Sequence, residues 1–455
     1  MALADLRKKH PVIHYRSFSI SSQTGNLCLR YDFLLEPDIE FHPEVVVPFT
    51  RVPQAEVVDR LAFHLGLVEL ISYWKAACPP KVVIKAGSLS SDQLAWWRDL
   101  FIHGLGEFFF KNQIDPGAEG FLDLSSRNAP AGGPLEITCD NADLLLTGGG
   151  KDSTVTLELL NELEKRKAAM VVNPTRAALD SARIAGYTGP LLLKRTIDPA
   201  LLRLNEQGYL NGHTPFSAYL AFSGILAAAL NGFKTVIASN ERSSNEPNTH
   251  FHGLEINHQY SKSLRFENRF RDYCSTWLTP SIEYFSFLRP LYDLQISRLF
   301  SDFPQHHSSF RSCNAHQRKD SWCGTCSKCA FVYLTLLPYL PAAHMLDIFS
   351  ADLFSNAQIR EHVTALCGLH GIKPFECVGT SEEARTAVHL SLQKCEVKDE
   401  RPPEFLRQLD SKLRARFGGD YFDESLLFAF SDEHHLPPAY ERILQAALQS
   451  SPELF

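Results

Sequence analysis

Short apolar runs alternate with helix-like segments in the middle of the chain, from residue 141 to about residue 240. Four of the runs have the pattern of buried strands: 142–147 (ADLLLT), 168–173 (AAMVVN), 190–195 (PLLLKR) and 234–239 (KTVIAS). Three segments between them have helical spacing: 152–167, 175–187 and 215–231. Strands separated by helices predict an α/β fold with a doubly wound parallel sheet. Ligands of such sheets bind beyond the carboxyl ends of the strands, where Thr147, Asn173 and Ser239 fall.

The first 135 residues have a different pattern and predict a separate α+β module. Residues 18–35 alternate around a Thr-Gly-Asn turn, as a β-hairpin does, and residues 56–74 have helical spacing. The Pro- and Gly-rich segment 128–136 (NAPAGGPLE) is the predicted linker. No motif in the module indicates a specific chemistry. We hypothesise that the module binds substrate.

The last third of the chain, residues 341–455, predicts a helical region with the charged stretch 394–405 as an exposed connection. We therefore expect three units, residues 1–135, 136–340 and 341–455. The most apolar segment, 216–233, is interrupted by polar residues and a glycine, which predicts a buried helix rather than a membrane span.

The composition is typical of a soluble globular protein. The chain has 455 residues, of which 44% are hydrophobic, and a formal net charge of -7. Because no long run of Lys and Arg occurs, the sequence argues against a nucleic-acid partner. No apolar segment follows the basic residues at the N-terminus, and four of the eleven cysteines cluster within residues 313–329. Both features favour a reduced cytoplasmic location without a membrane.

Gly148, Gly149 and Gly150 lie between a predicted strand and a predicted helix. Glycine amides at such a position approach an anion closely, and the helix dipole adds partial positive charge. Neither the phosphate-loop pattern GxxxxGK[ST] nor the dinucleotide pattern GxGxxG is present. The turn therefore predicts a phosphate site of another type, while a structural turn with Asp152 or Ser153 capping the helix is the alternative.

Residues 149–153 (GGKDS) resemble the pyrophosphatase loop, SGGxDS, of ATP enzymes that cleave between the α and β phosphates. Gly148 stands where these enzymes usually have serine, so one hydroxyl contact to phosphate is missing. The resemblance implies a PP-loop (HUP-like) fold and adenylation of an acceptor by ATP. The implied ATP-binding residues are Thr147, Gly148, Gly149, Gly150, Lys151, Asp152, Ser153 and Asn173.

A cluster of four cysteines follows with spacings of nine, two and two residues: Cys313, Cys323, Cys326 and Cys329. Three cysteines at CxxCxxC converge on one ion, a more distant fourth closes a tetrahedron, and four thiolates leave no open position. We predict a structural Zn²⁺ site, with an iron–sulfur cluster or buried free cysteines as alternatives. Cyano-deazaguanine synthase carries a similar cluster downstream of its pyrophosphatase loop.

The densest polar stretch of the central unit comprises residues 239–248 (SNERSSNEPN) and 250–263 (HFHGLEINHQYSKS). It follows a predicted strand, which is where a doubly wound enzyme places substrate groups; a solvated loop is the alternative. Residue type and position suggest roles for four residues: Glu241, His258 and Lys262 as acid/base candidates and Arg242 as a carboxylate clamp. The other predicted substrate-binding residues are Asn245, Glu246, Asn257, Tyr260 and Ser261.

In order along the chain, GGKDS, SNERSSNEPN, NHQYSKS and WCGTCSKCAFV resemble the UDP-N-acetylmuramoyl-L-alanyl-L-glutamate epimerase family. The resemblance covers the whole chain. It implies ATP, Mg²⁺ and a UDP-linked muramoyl dipeptide whose terminal L-glutamate is inverted during peptidoglycan synthesis. It also implies an acyl-adenylate intermediate and release of AMP, with Asp152 as a catalytic residue.

This route is chemically sound because the α-proton beside a free carboxylate is very weakly acidic. Its removal would give an enolate with two adjacent negative charges. Adenylation removes the carboxylate charge, so that a base takes the proton and an acid returns one on the opposite face. Inversion by this route needs no pyridoxal cofactor, whereas Mg²⁺ is needed to screen the phosphates.

Two other functional classes remain open from the sequence. Enzymes of tRNA or deazaguanine modification share the loop and the cysteine cluster, and Cys274 or Cys139 would supply the thiol for thiolation. The acidic balance argues against tRNA. A nucleotide sensor without catalysis is the third interpretation, and it leaves Asp152 and the polar stretch poorly explained.

Overall fold

One eleven-stranded sheet organises the computed structural model, which describes residues 2–51, 54–127 and 132–450. The strands are β1 Val12–Gln23, β2 Asn26–Leu35, β3 Ile39–Phe41, β4 Glu44–Pro48, β5 Lys81–Ser88, β6 Asp123–Arg127, β7 Asp140–Leu146, β8 Arg166–Val172, β9 Leu191–Thr196, β10 Phe233–Ala238, β11 Thr249–Phe251, β12 Leu254–Ile256 and β13 Glu283–Ser286. The order is β13-β10-β7-β8-β9-β4-β2-β1-β5-β6, with β3 beside β2, and β11 and β12 form a separate hairpin. The first four residues of the predicted linker 128–136 lie outside the described residues.

The centre of the sheet is parallel, as the sequence predicts. β8 and β9 extend from one side of β7, and β10 and β13 extend from the other. The strand order therefore reverses between β7 and β10, which is the switch point where open α/β sheets bind their ligands. All four predicted strands of this unit are confirmed, and so is the α/β class.

Helices cover both faces of the central sheet. They are α1 Leu3–Lys9, α2 Ala55–Trp74, α3 Ser91–Gly104, α4 Gly106–Lys111, α5 Lys151–Leu159, α6 Arg176–Ile184, α7 Pro199–Glu206, α8 Phe216–Asn231, α9 Leu264–Tyr273, α10 Asp293–Ser301, α11 Ser327–Leu336, α12 Ala342–Phe349, α13 Ala357–Leu366, α14 Ser381–Val397, α15 Glu404–Phe417 and α16 Pro438–Ser450. Alternate strand residues face opposite cores, so that Leu144 and Val236 pack in one core and Leu145 and Ile237 in the other.

The strands of the N-terminal segment continue the same sheet. β4 pairs antiparallel with β9 through Glu44 and Thr196, and the predicted hairpin is confirmed as β1 and β2, which meet at Gln23 and Asn26. One core contains residues from both sides of residue 135, and the second core contains residues from both sides of residue 340. The proposed division into three domains stays a prediction.

Two helix predictions differ from the structure at their ends. The helix predicted over 152–167 ends at Leu159, and β8 begins at Arg166. Lys167 donates to the carbonyl of Leu160 at 2.8 Å, so a cationic side chain satisfies the helix end instead of extending the helix. In the C-terminal region, α14 continues to Val397, so the connection predicted from residue 394 begins four residues too early.

The apolar segment 216–233 is confirmed as a buried helix, because α8 packs between α2 and the sheet. In the three described ranges, none of the helices combines the length and apolar character that crossing a bilayer requires. The predicted helical nature of residues 341–455 is confirmed by α12 to α16 as far as Ser450, and the last five residues of that range lie outside the described residues.

Candidate active site

The glycine turn joins the end of β7 to the start of α5, at the carboxyl edge of the sheet. Gly149 has φ +80°, and a Cβ on it would lie 2.4 Å from the backbone nitrogen of Ala178 in α6. Its amide donates to the Ser153 hydroxyl at 3.2 Å, and that hydroxyl donates to the carbonyl of Gly150 at 3.1 Å. Gly150 is the N-cap residue, and no side chain caps α5. Since a side chain does not occupy the helix N-terminus, its amides and dipole are available to an anion.

Lys151 points away from this edge into the protein. Only 1% of its side chain is exposed, and its ammonium lies 2.5 Å from Asp152 and 2.7 Å from Oδ1 of Asp293, which begins α10. Burial alone would lower the pKa of Lys151, but the two carboxylates raise it. Lys151 therefore acts as a buried charge that holds Asp152 and α10 beside the turn.

Asp152 carries the negative charge nearest to the turn. Burial would raise the pKa of its carboxyl, but the ammonium groups of Lys151, Lys328 and Lys262 lower it. Asp152 is therefore ionised at neutral pH, and its carboxylate is a ligand suited to Mg²⁺.

Two adjoining cavities open on either side of Gly148. The first, of about 300 Å³, lies beyond β7 and β8 and is lined by Thr147, Val172, Asn173 and Phe216 among others. The Asn173 side chain is held in place by the backbone of Arg195: it donates to the carbonyl at 2.9 Å and accepts from the amide at 2.8 Å. We call it the β7–β8 cavity.

The second cavity, of about 220 Å³, lies at the switch point between β7 and β10. Its lining comprises Gly148, Gly150, Asp152, Ser153, Ser239, Asn240, Lys262, Arg311, Ser312, Asn314, Gln317, Lys328, Cys377 and five further residues. Three basic side chains face one carboxylate there, so its wall favours anionic ligands. We call it the switch-point cavity.

The segment 311–317 forms a cover over the glycine turn. The Arg311 amide donates to the carbonyl of Gly149 at 2.9 Å, and the Gln317 side chain donates to that of Gly148 at 3.1 Å. The same segment includes Cys313, so the cysteine cluster and the turn are directly linked.

The four cysteines of the cluster converge as the spacing predicts. Their sulfur atoms lie within 4.8 Å of one another, with 3.5 Å between Cys326 and Cys329 and 3.7 Å between Cys323 and Cys329. A tetrahedral ion with metal–sulfur bonds of about 2.3 Å places its sulfur ligands about 3.8 Å apart. The amides of His316 and Cys323 donate to the Cys313 sulfur at 3.4 Å each, which stabilises a thiolate. The residues therefore fit a metal ion.

The cluster also places a cavity residue. Cys326 caps the N-terminus of α11, and Lys328 in the first turn of that helix lines the switch-point cavity. The Lys328 ammonium donates to the carbonyl of Cys377. A metal ion in the cluster would thus fix both the cover and this lysine.

Most of the predicted polar stretch folds against the protein instead of into the cavities. Glu241 is buried beside the Arg289 guanidinium, which donates to its carbonyl at 2.7 Å, and Glu246 pairs with Lys373 at 3.1 Å. The Arg242 guanidinium lies 4.7 Å from the centre of the Tyr292 ring. Asn245 accepts from the Leu264 amide at 2.8 Å.

The side chains in the second half of the stretch also contact the protein instead of the cavities, except for Lys262. Asn257 donates to the carbonyl of Ser244 at 2.9 Å, Ser261 is buried, and the Tyr260 hydroxyl donates to Asp99. Lys262 lines the switch-point cavity together with Asp152. The substrate-binding and acid/base roles of all these residues stay predictions.

His258 is part of a row of three side chains that sequence reasoning did not assemble. Its Nδ1 hydrogen-bonds the carboxylate of Glu107 in α4, and its Nε2 lies 3.8 Å from the Cys377 sulfur. Burial acts to lower the pKa of His258, but the contacts with Cys377 and Glu107 raise it to about 9. His213 lies alongside, with its ring centre 4.4 Å from that of His258, and burial lowers the pKa of His213 to about 3.

Cys377 reaches the switch-point cavity from the loop 371–379, between α13 and α14. Burial would raise the pKa of its thiol, but Lys262 and His258 lower it to about 7. The sequence alone contained no signal for this cysteine, because it stands singly in a region whose pattern predicts only helices. Glu107 and Cys377 come from segments far apart in the chain.

A further cavity of about 610 Å³ lies in the N-terminal part of the protein. Phe18, Arg60, Phe63 and Trp277 contribute to its lining. The prediction that this part of the chain binds substrate stays a prediction, and this cavity is its candidate location.

The sequence profile of the MurL N-terminal domain matches residues 5–287, and that of the MurL C-terminal domain matches residues 307–418. The chain is 32% identical over 450 residues to the UDP-N-acetyl-alpha-D-muramoyl-L-alanyl-L-glutamate epimerase of Xanthomonas oryzae pv. oryzae (strain MAFF 311018), covering 96% of this chain and 98% of that one. It is also 32% identical over 444 residues to the protein of the same name from Micromonospora sp. (strain ATCC 39149 / NRRL 15099 / SCC 1413), covering 94% and 97%.

Both comparisons extend over nearly the whole chain, including the glycine turn, the cysteine cluster and the loop that carries Cys377. The family predicted from the motifs is thereby confirmed, and the chain belongs to the MurL family of UDP-N-acetyl-alpha-D-muramoyl-L-alanyl-L-glutamate epimerases.

Proposed function

We propose that the chain is an ATP- and Mg²⁺-dependent epimerase of peptidoglycan synthesis in the cytoplasm. Its substrate would be UDP-N-acetylmuramoyl-L-alanyl-L-glutamate, and its product the D-glutamyl epimer. The observation that carries this proposal is the glycine turn, whose helix N-terminus lies between two cavities. One cavity has the mixed lining of a nucleoside site, and the other has three basic side chains around Asp152. The names of the relatives supply the reaction.

In this proposal the nucleoside of ATP occupies the β7–β8 cavity, and its phosphates lie against the amides of the glycine turn. Asp152 holds the Mg²⁺ that screens the phosphates. Lys262 and Lys328 attract the α-carboxylate of the terminal glutamate into the switch-point cavity, beside the α-phosphate. The PP-loop assignment and the order of steps belong to the same proposal.

The carboxylate attacks the α-phosphorus, and diphosphate leaves. The resulting acyl-adenylate has lost the negative charge that opposes removal of the α-proton. A base takes the proton, an acid returns one on the opposite face, and water cleaves the anhydride to release AMP. The cysteine cluster holds Zn²⁺ in a structural role, because four thiolates leave no position for substrate.

The decisive experiment incubates the pure protein with ATP, Mg²⁺ and a panel of UDP-muramoyl peptides. AMP release and the chirality of the terminal glutamate are followed together. We expect both only with the L-alanyl-L-glutamyl peptide or its epimer. AMP that depends on added RNA, or the absence of AMP with every peptide, would refute the proposed function.

Asp152→Asn is expected to lower the rate of AMP formation by roughly a hundredfold or more, because an amide binds Mg²⁺ weakly and leaves Lys151 partly uncompensated. The measurement is AMP formation at saturating ATP, with melting temperature as a check on folding. Asp92→Asn is the matched control, since Asp92 is likewise the second residue of its helix, α3, and is exposed. Equal AMP rates in the two variants would remove Asp152 from the active site.

A further inference from the structure

We infer that Cys377 is the catalytic residue that exchanges the α-proton on one face of the glutamyl carbon, and that His258 and Glu107 position its thiolate. This inference rests on the proposed function and deepens it. It replaces the prediction that His258 itself contacts the α-proton with a role in holding the group that does.

The first observation is the row of side chains from Glu107 through His258 to Cys377. The Glu107 carboxylate fixes the ring through Nδ1, and Nε2 faces the sulfur at 3.8 Å. Proteins activate a thiol by placing a titratable ring beside it and a third group that orients the ring. Only the sulfur end of the row lines the switch-point cavity, with Gly150 and Asp152.

The second observation is how firmly the loop 371–379 is held. The side chains of Asn248 and Gln259 donate to the carbonyls of Pro374 and Val378, at 2.9 and 3.0 Å. Lys328 donates to the carbonyl of Cys377 itself. The polar stretch that the sequence singled out therefore fixes the position of the thiol at the cavity wall.

The third observation is the charge around the sulfur. Lys262, Lys328 and His258 bring positive charge to Cys377 from three separate segments. The acidic groups nearby are Glu376, its neighbour in the loop, Asp152, which lines the same cavity, and Glu241, which interacts with Lys262. The positive groups stabilise the thiolate and hold the pKa of Cys377 near 7, so the base form is well populated at neutral pH. Cys274 and Cys367, buried in the cores, have pKa values raised by burial instead.

The thiolate takes the α-proton and becomes a thiol, and the electron pair of the C–H bond moves into the acyl carbonyl to give an enolate. A second acid then donates a proton to the opposite face, and both groups exchange their protons with water before the next turnover. For the D-epimer the two groups exchange roles: the second group removes the α-proton, and the Cys377 thiol returns a proton on its own face.

Cys377 and His258 cannot flank one carbon atom from opposite sides. Each reacting group lies about 3–3.5 Å from the carbon in a reactive complex, so two flanking groups are separated by roughly 6–7 Å. The observed separation is 3.8 Å. The two side chains therefore serve one face as a unit, and the acid of the other face is a different group.

The test compares Cys377→Ala and Cys377→Ser with the parent enzyme in D₂O, starting from the L- and the D-glutamyl substrate. We expect inversion to fall at least a hundredfold in both directions. We also expect α-deuterium uptake to disappear from one epimer only, because the second acid still serves the other face. AMP release should stay within about fivefold of the parent rate, since activation and hydrolysis need no α-proton transfer. Cys395→Ala is the matched cysteine control, because Cys395 lies near the C-terminal end of α14 and is not part of the cavity lining.

The inference is overturned if both epimers keep deuterium uptake within about threefold of the parent, or if both lose it together. It is also overturned if AMP release falls in parallel with exchange in a variant that binds ATP normally. A thioester on Cys377 in acid-quenched parent enzyme would make the thiol a nucleophile and would equally refute the assignment. If the parent enzyme itself releases no AMP with these substrates, the proposed function has failed instead.

The positioning role of His258 has a separate readout. In His258→Asn the thiol loses its imidazolium partner, so its pKa rises from about 7 toward the ordinary value of a cysteine. Because the thiolate is the active form, the acid limb of the exchange rate should move to higher pH, and activity should recover in alkaline buffer. A uniform loss of rate with an unchanged pH profile would contradict this role.

Discussion

Cys329→Ser is expected to reduce the metal content from about one ion per chain to almost none and to lower the free energy of unfolding by about 3 kcal/mol or more. Cys329 is fully buried, and its sulfur lies 3.5 and 3.7 Å from two other cysteine sulfurs. A serine hydroxyl cannot complete a tetrahedron of thiolates, and the energy of metal binding is part of the folding energy. Elemental analysis and urea unfolding of the same preparation measure both quantities.

The effect of losing the metal ion in Cys329→Ser should extend to the active site. The segment 311–317 covers the glycine turn through Arg311 and Gln317, and Cys313 anchors that segment in the cluster. We therefore expect ATP affinity to fall together with the metal content. Cys367→Ser is the matched control, because Cys367 is equally buried but lies outside the cluster. If both serine variants lose the same stability and neither differs from the parent protein in metal content, the four cysteines do not hold the ion and the cluster is a set of packed thiols.

The hydrophobic pattern was sufficient to predict the centre of the fold. Strands β7 to β10 are short apolar runs between glycine, proline and polar boundaries, so their position follows from local composition. The pairing of β4 with β9 was not predictable in this way, since it joins residues about 150 positions apart and depends on tertiary packing. Local pattern likewise missed the end of α5, where a lysine satisfies the last carbonyls.

The same distinction between local sequence pattern and contacts of distant segments applies to the candidate site. The glycine turn and the cysteine cluster are contiguous motifs, so their geometry was predictable from spacing. The row of Glu107, His258 and Cys377 spans three separate segments, and a lone cysteine in a helical region has no distinguishing spacing. Residue type pointed to the polar stretch, but several of its side chains bind the loop 371–379 or the protein core instead of the cavities.

Gly149→Ala is expected to abolish ATP binding and to lower the free energy of unfolding by about 2–5 kcal/mol. The backbone at Gly149 has φ +80°, a region that alanine enters only with strain. The new methyl group would also lie 2.4 Å from the nitrogen of Ala178 and 2.5 Å from the carbonyl carbon of Ala177. These are backbone atoms of α6, so the turn or the helix must shift. Calorimetric titration with ATP and urea unfolding measure the two effects.

Gly186→Ala separates the effect of backbone strain from that of the steric clash with α6. Gly186 has φ +84° but open space around its Cβ position. It carries the backbone strain alone, and we expect it to cost about 1–2 kcal/mol without any change in ATP affinity. The excess loss in Gly149→Ala then measures the close approach of the turn to α6, which sets the direction of the helix N-terminus of α5 toward the two cavities. If Gly149→Ala binds ATP as tightly as Gly186→Ala does, the phosphates do not lie against this turn, and the proposed activation of the carboxylate beside it is wrong.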